Sequence, residues 1–151
     1  MAEQTLVLLK PDALQRGLAG RIIARLEDRG MKLVGMKLMQ VDMDIAKQHY
    51  AEHVEKPFFK GLADFMMSRP IIAMAVEGHN AVEVVRTTMG ATNPQKAAPG
   101  TVRGDMAQDI ARNLIHGSDS PESAARELAI FFKPEEIISY DRESETWITE
   151  A

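Results

Sequence analysis

Short apolar runs of strand-forming residues alternate with segments of helical periodicity along this chain, and that order constrains its fold more than any other feature. Residues 5–9 form the first run, which stops at Lys10-Pro11-Asp12, where proline cannot donate to a strand ladder and aspartate can cap a turn. Residues 18–29 then place apolar side chains at helical spacing, with Gly30 as a C-terminal cap. These residues predict a buried strand that ends in a lysine, followed by a helix.

The same alternation continues toward the end of the chain. We predict further strands at 32–41, 71–76 and 114–115, helices at 44–53, 58–67, 81–89 and 121–132, a long ordered loop at 90–104, and a charged, irregular tail after residue 134. An order of strand, helix, strand, helices, strand, helix, loop, strand and helix favours an α+β fold in which helices cover one sheet. A length of 151 residues fits one domain, residues 1–151.

The composition excludes several kinds of chemistry. The chain has no cysteine, which excludes disulfides, thiolate metal sites and thiol catalysis and leaves histidine, serine and carboxylates as catalysts. A net charge of −4 provides no general attraction to nucleic acid or to an anionic membrane, so any anion site must be local. No basic start leads into a long apolar run, and no 18 apolar residues are consecutive, so we expect a cytoplasmic protein without a signal peptide or membrane span.

A histidine stands just before a helix start in the last third of the chain. Ser120 is a good N-cap, Pro121 suits the first helical position, and Glu122 favours the positive end of the helix dipole. Upstream, His116 supplies an imidazole, a group that can act as a base, a nucleophile or a ligand near neutral pH, and Gly117 allows the backbone to approach a ligand closely. This arrangement suits a phosphate or another anion. The alternative is a loop histidine beside an ordinary capped helix.

Two short motifs suggest other ligands. His49, Glu52 and His53 match the H-x-x-E-H pattern of some zinc enzymes, with two histidines one helical turn apart and a glutamate that could act as a base. The alternative, which we favour, is a half-exposed helix whose histidines and Tyr50 point to solvent or to a cleft. A pair of glycines with P-loop spacing is followed by Met36 where lysine is required, so any nucleotide must be held by side chains.

The segment 113–120, Asn-Leu-Ile-His-Gly-Ser-Asp-Ser, resembles the active-site signature of nucleoside diphosphate kinases. The resemblance extends over nearly the whole chain in ordered blocks, which are residues 10–12, 15–17, 49–50, 56–59, 86, 90–94, 99–105, 126–127 and 133–136. It implies a ferredoxin-like βαββαβ sandwich, with an antiparallel four-stranded sheet covered by helices, and a homo-oligomer. It also implies Mg²⁺ carried by nucleotide phosphates, with no metal ligand from the protein, and phosphate transfer from a nucleoside triphosphate to a nucleoside diphosphate through a phosphohistidine.

The resemblance also implies a role for each matching residue. His116 would be the nucleophile, and Glu127, assisted by Ser118, would anchor its second ring nitrogen. Without the resemblance, Glu127 reads as a solvated helix carboxylate. The implied nucleotide contacts are Arg86, Thr92 and Arg103 on the β- and γ-phosphates, His53 near the α-phosphate, Tyr50 near the γ-phosphate, Lys10 and Asn113 on the ribose, Lys10 also on the transferring group, and Phe58 with Leu62 on the base. These residues converge only if the fold brings six segments together.

Three further expectations concern the base, the assembly and the alternatives. We expect Phe58 to be partly exposed for tolerant base stacking and Phe59 to lie in the core. Residues 97–98 fit the family loop that packs between subunits, which favours a hexamer over a tetramer, although Ala13 replaces a frequent glycine and the tail lacks a strong match. The rival functions are a zinc hydrolase centred on His49 and His53, and a regulatory relative that has lost catalysis.

Overall fold

The computed structural model describes residues 2–150 and contains one four-stranded sheet. Its strands are β1 (Ala2–Leu9), β2 (Lys32–Met39), β3 (Ile71–His79) and β4 (Ile115–Gly117). They are ordered β2-β3-β1-β4, and each adjacent pair is antiparallel. The predicted α+β class and the ferredoxin-like antiparallel sheet are therefore confirmed.

Helices cover both faces of this sheet. They are α1 (Pro11–Gln15), α2 (Ala19–Asp28), α3 (Met43–His49), α4 (Phe59–Met67), α5 (Ala81–Met89), α6 (Val102–Met106) and α7 (Pro121–Phe131). Short 3-10 turns lie at Ala51–His53, Pro94–Lys96, Pro134–Glu136 and Glu143–Trp147. Helices α2 and α5 pack on one face, and α3, α4 and α7 pack on the other. Within residues 2–150, no helix combines the length and apolar character that crossing a membrane requires.

Strand β1 is the centre of both cores. Val7 and Leu9 pack with α2 and α5, whereas Leu6 and Leu8 pack with α7, and all four side chains are fully buried. A strand covered on both faces needs a continuous apolar run rather than an alternating one. This explains why the apolar run at 5–9 is the clearest strand signal in the sequence.

Two predicted strands are longer in the structure than in the sequence pattern. The strand predicted at 5–9 begins at Ala2, and the strand predicted at 71–76 continues to His79, because Ala2 and His79 are partners at the end of the β1–β3 ladder. The polar residues in these extensions carry no apolar signal. Conversely, the strand predicted at 32–41 ends at Met39.

Four other predictions were wrong in detail. The helix predicted at 44–53 stops at His49, because Tyr50 has non-helical dihedrals, and a separate 3-10 turn follows. The segment predicted as a turn after Lys10 forms the short helix α1, and the loop predicted at 90–104 contains a 3-10 turn and the start of α6. The last strand begins at Ile115 rather than at Leu114, which has a positive φ. The other predicted helices match within one residue.

A glycine allows β4 and α5 to approach each other closely. A Cβ atom at Gly117 would lie 2.6 Å from Met89 Sδ and 3.1 Å from Val85 Cγ1, both on α5. The opposite face of β4 carries His116, which pairs with Leu8 and therefore points toward α7. The sheet thus places this histidine on an edge strand, on the face that α7 covers.

Candidate active site

His116 lies in the edge strand β4, with one ring nitrogen held by α7. Its Nε2 is 2.7 Å from Glu127 Oε1. The His116 side chain is 27% exposed and lines a surface cleft, whereas that of Glu127 is only 6% exposed. The imidazole is therefore anchored from behind while part of it remains accessible to a ligand.

Glu127 receives more than one hydrogen bond. Its Oε1 also accepts from Ser118 Oγ at 2.9 Å, and its Oε2 lies 3.6 Å from an Arg126 nitrogen. Burial opposes the charged form, but the hydrogen bond and charge of His116, together with the Ser118 hydroxyl, outweigh it, so the pKa of Glu127 is lowered. An ionised carboxylate requires a proton on Nε2 of His116, which leaves Nδ1 as the basic nitrogen of the neutral ring.

A second histidine packs directly against the first. His49, at the end of α3, is 8% exposed, and its ring centroid lies 4.7 Å from that of His116 at an interplanar angle of 86°. Burial, followed by the charge of His116, lowers the pKa of His49 to about 3. His49 is therefore neutral at physiological pH. The expectation of a half-exposed histidine at this position was wrong.

The chain makes a strained turn just before His116. Leu114 has a φ of 73°, and Ile115 N donates to Asn113 O at 2.8 Å, so these three residues form a γ-turn around a left-handed leucine. Asp12 Oδ2 accepts from Leu114 N at 3.0 Å and fixes the turn to α1. Sequence analysis treated Asp12 only as a turn residue, because a contact across 102 positions leaves no local signal.

Two arginines approach the cleft with backbone carbonyls as their partners. Arg103 is buried in α6, and its guanidinium donates to the carbonyls of Gly90 at 3.1 Å, Asn113 at 3.2 Å and Ile115 at 2.5 Å. Burial, followed by the charge of Arg86, lowers the pKa of Arg103 to about 10. Arg86 on α5 donates to Gly117 O at 3.1 Å. Both arginines are therefore charged at neutral pH and fixed by uncharged acceptors.

Lys10 completes the positive wall at the end of β1. Its Nζ donates to Asn113 Oδ1 at 2.7 Å, and the Asn113 amide donates to Thr92 O at 3.0 Å. Burial, followed by the charge of Arg103, lowers the pKa of Lys10 to about 8. The buried Asn113 thus joins the strand-end lysine to the loop that carries Thr92.

These side chains converge on a single cleft of about 310 Å³. The predicted site residues that line it are Lys10, Tyr50, Leu62, Arg86, Thr92, Arg103, Asn113 and His116. Glu127 and Ser118 lie behind His116 rather than in the wall. Met89, Ile110 and Ile115 also line the cleft and were not predicted as site residues. Ile110 is 55% exposed and lies between α6 and β4, where no local sequence pattern marks it.

The remaining two predicted residues lie in a row of rings. The Tyr50 and His53 centroids are 6.5 Å apart, and those of His53 and Phe58 are 5.1 Å apart. Phe58 is 52% exposed, whereas Phe59 packs against the core, as predicted. Burial, with the nearby charge of Glu127, raises the pKa of Tyr50 to about 12, so this hydroxyl stays protonated. The row offers one exposed aromatic face, at Phe58.

The side chains of the cleft do not form a site for Mg²⁺. Ligand atoms of His49, His116 and Glu127 lie within 4.8 Å of one another, but Mg²⁺ prefers six oxygen ligands, and this group offers two nitrogens and a carboxylate that already accepts two hydrogen bonds. The zinc motif also fails, because His49 and His53 lie on different helical segments rather than on one helix face.

The comparisons with known proteins agree with one another. A family model described as nucleoside diphosphate kinase matches residues 3–137. Nucleoside diphosphate kinases from Carboxydothermus hydrogenoformans and Archaeoglobus fulgidus are 57% and 53% identical over 148 residues, which is 98% of this chain and 99% and 98% of theirs. A solved halophilic nucleoside diphosphate kinase from Halobacterium salinarum, in complex with CDP, is 49% identical with a TM-score of 0.96, covering 99% of this chain and 100% of that one.

Proposed function

This chain belongs to the nucleoside diphosphate kinase family and is an enzyme of that kind, and from this membership we propose that it works by a ping-pong mechanism through a phosphohistidine on His116. The γ-phosphate of a nucleoside triphosphate would pass first to the histidine and then to a nucleoside diphosphate. The observation that supports this most strongly is the His116–Glu127 hydrogen bond of 2.7 Å. It fixes one ring nitrogen and leaves the other free for nucleophilic attack.

In the first half-reaction, Nδ1 of His116 attacks the γ-phosphorus of the bound triphosphate. A P–N bond forms while the bond from the γ-phosphorus to the β–γ bridging oxygen breaks, and the nucleoside diphosphate leaves with that electron pair. Nε2 keeps its proton, and Glu127 stabilises the positive charge of the phosphorylated ring. In the second half-reaction, a terminal oxygen of another diphosphate takes the phosphoryl group and restores neutral His116.

The other cleft residues bind and orient the nucleotide. Phosphoryl transfer depends mainly on positioning and charge neutralisation, and the fork of an arginine can bond two phosphate oxygens. The assignments are Arg86, Thr92 and Arg103 to the β- and γ-phosphates, His53 to the α-phosphate, Tyr50 to the region of the γ-phosphate, Lys10 to the ribose 3′-hydroxyl and the transferring group, and Asn113 to the sugar. Mg²⁺, when present on the phosphates, neutralises part of their charge.

The base site is expected to accept purines and pyrimidines. Phe58 presents an exposed ring, Leu62 lines the cleft one helical turn later, and stacking tolerates every base. A competition among four nucleoside diphosphates for the phosphoenzyme tests this breadth. All four should be phosphorylated, purines somewhat faster because of their larger stacking area. A strict requirement for one base would contradict it.

A homo-oligomer, most simply a hexamer, fits the surface of the protein. Strand β2 is an edge of the sheet, and its Met36 and Leu38 are 47% and 67% exposed. An exposed apolar edge strand favours pairing with another chain. Sedimentation equilibrium should report six copies. A tetramer would be the second arrangement to consider, and a monomer at micromolar concentration would contradict the proposal.

The proposal also covers the organisation and location of the chain. Residues 1–151 would form one domain, because both apolar cores pack on the same sheet. The expected partners are nucleoside tri- and diphosphates, and the chemistry requires no nucleic acid or membrane. Such substrates suit the cytoplasm.

Labelling with ATP carrying a radioactive γ-phosphate tests the mechanism. Without an acceptor, His116 should carry an acid-labile, base-stable phosphate that GDP removes to form GTP. His116→Ala should abolish labelling, lower the transfer rate by more than about 1,000-fold, and still bind nucleotide. The competing acceptors are His49, His53, His79, Ser118 and Ser120, so the label must be mapped under non-acidic conditions.

Two results would contradict the mechanism. Transfer at a near-normal rate by the His116→Ala protein would remove the phosphohistidine. Label on Ser118 or Ser120 would move the nucleophile and leave His116 as its base. A protein that binds nucleotide but neither accepts label nor transfers phosphate would instead support the regulatory alternative.

A further inference from the structure

We propose that His49 is a positioning residue for the nucleophile: its ring is a rigid wall that holds the His116 imidazole with Nε2 on Glu127 and Nδ1 toward the cleft. This inference rests on the proposed function, which assigns His116 as the nucleophile. It adds a residue that the mechanism above does not use.

The His49 ring is fixed on several sides. Its centroid lies 4.7 Å from His116, 5.4 Å from Phe131 of α7 and 4.7 Å from Tyr50, with interplanar angles between 63° and 86°. Perpendicular aromatic pairs at such distances are attractive as well as sterically defined. Because His49 is 8% exposed, its ring has little room to move. A fixed ring therefore lies across the His116 imidazole.

His116 needs such a wall because its anchor is a single hydrogen bond at one ring atom. The terminal torsion of a histidine is broad and roughly two-fold, so the ring can rotate or flip about the bond that carries it. Rotation would move Nε2 away from Glu127 and would also move the attacking nitrogen. Small errors in the direction of a reacting atom slow a positioned reaction greatly. Contact with His49 at 86° opposes that rotation.

The contribution of His49 comes from its ring rather than from a hydrogen bond. Within residues 2–150, its buried Nδ1 has no hydrogen-bond partner. A neutral ring also leaves the Glu127 carboxylate to His116. Burial, followed by the charge of His116, lowers the pKa of His49; Arg126 on α7 and Lys10 after β1 act in the same direction, and Glu127 on α7 opposes them. The adjacent Tyr50 is the other titratable group packed against the ring. His49 is therefore a neutral wall at working pH.

The test compares His49→Ala, which removes the wall, with His49→Phe, which keeps a ring of similar shape. The first readout is the rate at which His116 is labelled by saturating MgATP in a single turnover. We expect the alanine variant to be about 10- to 100-fold slower, the range for residues that orient a reacting group. Its KM for nucleotide should change less than about threefold, and His49→Phe should recover most of the rate. The matched control is His79→Ala, an exposed histidine at the end of β3, which should not alter either value.

The second readout does not depend on catalysis. Nitrogen-15 NMR of the imidazoles, four in the wild type and three in each His49 variant, should show His116 as one Nε2-protonated tautomer in the wild type and in His49→Phe, and as a mixture in His49→Ala. If the alanine variant does not fold, His49→Leu removes the flat ring at similar volume and replaces it in both measurements. Normal labelling and a single tautomer without the ring would overturn the proposal. A phenylalanine variant as slow as the alanine variant would also overturn it, because the nitrogen would then matter. Failure of wild-type His116 to take label would reject the proposed function and this inference with it, whereas a labelled wild type with unaffected His49 variants rejects this inference alone.

Discussion

Two groups of positive side chains in this protein differ in their partners. Outside the cleft, several arginines and lysines pair with carboxylates, as in Arg25–Asp105, Lys37–Glu136, Lys60–Asp64 and Arg142–Glu145. Inside the cleft, Lys10, Arg86 and Arg103 donate to backbone carbonyls and to an amide oxygen. Within residues 2–150, no carboxylate oxygen lies within 4.0 Å of their side-chain nitrogens. One group is neutralised by the protein, and the other is not.

The difference shows where the fold retains positive charge for a ligand. Burial, followed by the charge of a neighbouring arginine, lowers the pKa values of Lys10 and Arg103. Surface pairs show the opposite effect: the backbone N–H of Gly100 and then Arg25 lower the pKa of Asp105, and Asp64 raises that of Lys60. Neutral acceptors fix the cleft side chains without cancelling their charge. A bound polyphosphate would supply the missing counter-charge.

Among the changes that test this comparison, the largest effect on kcat/KM should come from removing a cleft cation. Arg86→Ala should weaken transition-state stabilisation by about 2 to 4 kcal/mol, the scale for one preorganised electrostatic donor, which is roughly 30- to 1,000-fold in kcat/KM. The thermal transition without nucleotide should change little, because the substitution also removes repulsion with Arg103. Steady-state kinetics and a thermal melt check the two parts. If the loss of activity were explained entirely by the loss of the thermal unfolding transition, Arg86 would be needed for folding rather than for phosphate binding.

The second largest effect on the transfer rate should come from Glu127, the carboxylate that accepts a hydrogen bond from His116. Glu127→Gln should keep the fold and slow transfer by about 10- to 100-fold, the usual contribution of a group that orients a reacting residue. The amide keeps the shape but cannot stabilise the charged ring. Rates with saturating substrate check this expectation. An unchanged rate would show that a neutral partner for His116 suffices. The negative charge of Glu127 would then have no catalytic consequence.

The fold was predictable from sequence wherever an apolar pattern reports one burial environment. The helix predicted at 81–89 matches α5 in both bounds, because its apolar face meets the sheet along its whole length. The pattern failed at Leu114 and Tyr50. The turn at Leu114 is held by Asp12, 102 positions away, and Tyr50 is drawn into the cleft, where the helix cannot continue. Tertiary contacts decided both conformations.

The candidate site was less visible to physical reasoning than the fold. The N-cap at Ser120 and the anion-ready helix start were readable, but Glu127 alone reads as a solvated carboxylate. It is buried because α7 packs on the face of β1 to which the Leu8–His116 register also directs the histidine. Only the family resemblance named these residues together. The resemblance includes His49 in the block 49–50 but assigns it no role, because the role proposed for it depends on a contact between α3 and β4.

A third effect should appear as a pH dependence of substrate capture. The cationic form of Lys10 is the active one, and its pKa in the free enzyme is about 8, so kcat/KM should fall as the pH rises through 8. At pH 9 it should be about tenfold below its plateau, since only about a tenth of the lysine remains charged. Lys10→Arg should remove this inflection, because arginine stays protonated, although its plateau will be lower. An identical inflection in Lys10→Arg would assign the titration to another group.

The smallest effect should come from a cation that the protein already neutralises. Lys60 on α4 pairs with Asp64 one turn later, and both side chains are largely exposed, at 85% and 53%. Exposed pairs of this kind contribute little, because water screens the charges and ordering two long side chains costs entropy. Lys60→Ala removes one positive charge, as Arg86→Ala does, and should leave kcat/KM within about twofold and Tm within about 2 °C. Kinetics and melts measured beside the Arg86 variant check the contrast. A loss comparable to that of Arg86→Ala would mean that net charge, rather than a cation left unneutralised beside His116, determines phosphate binding, and the distinction between the two groups would fail.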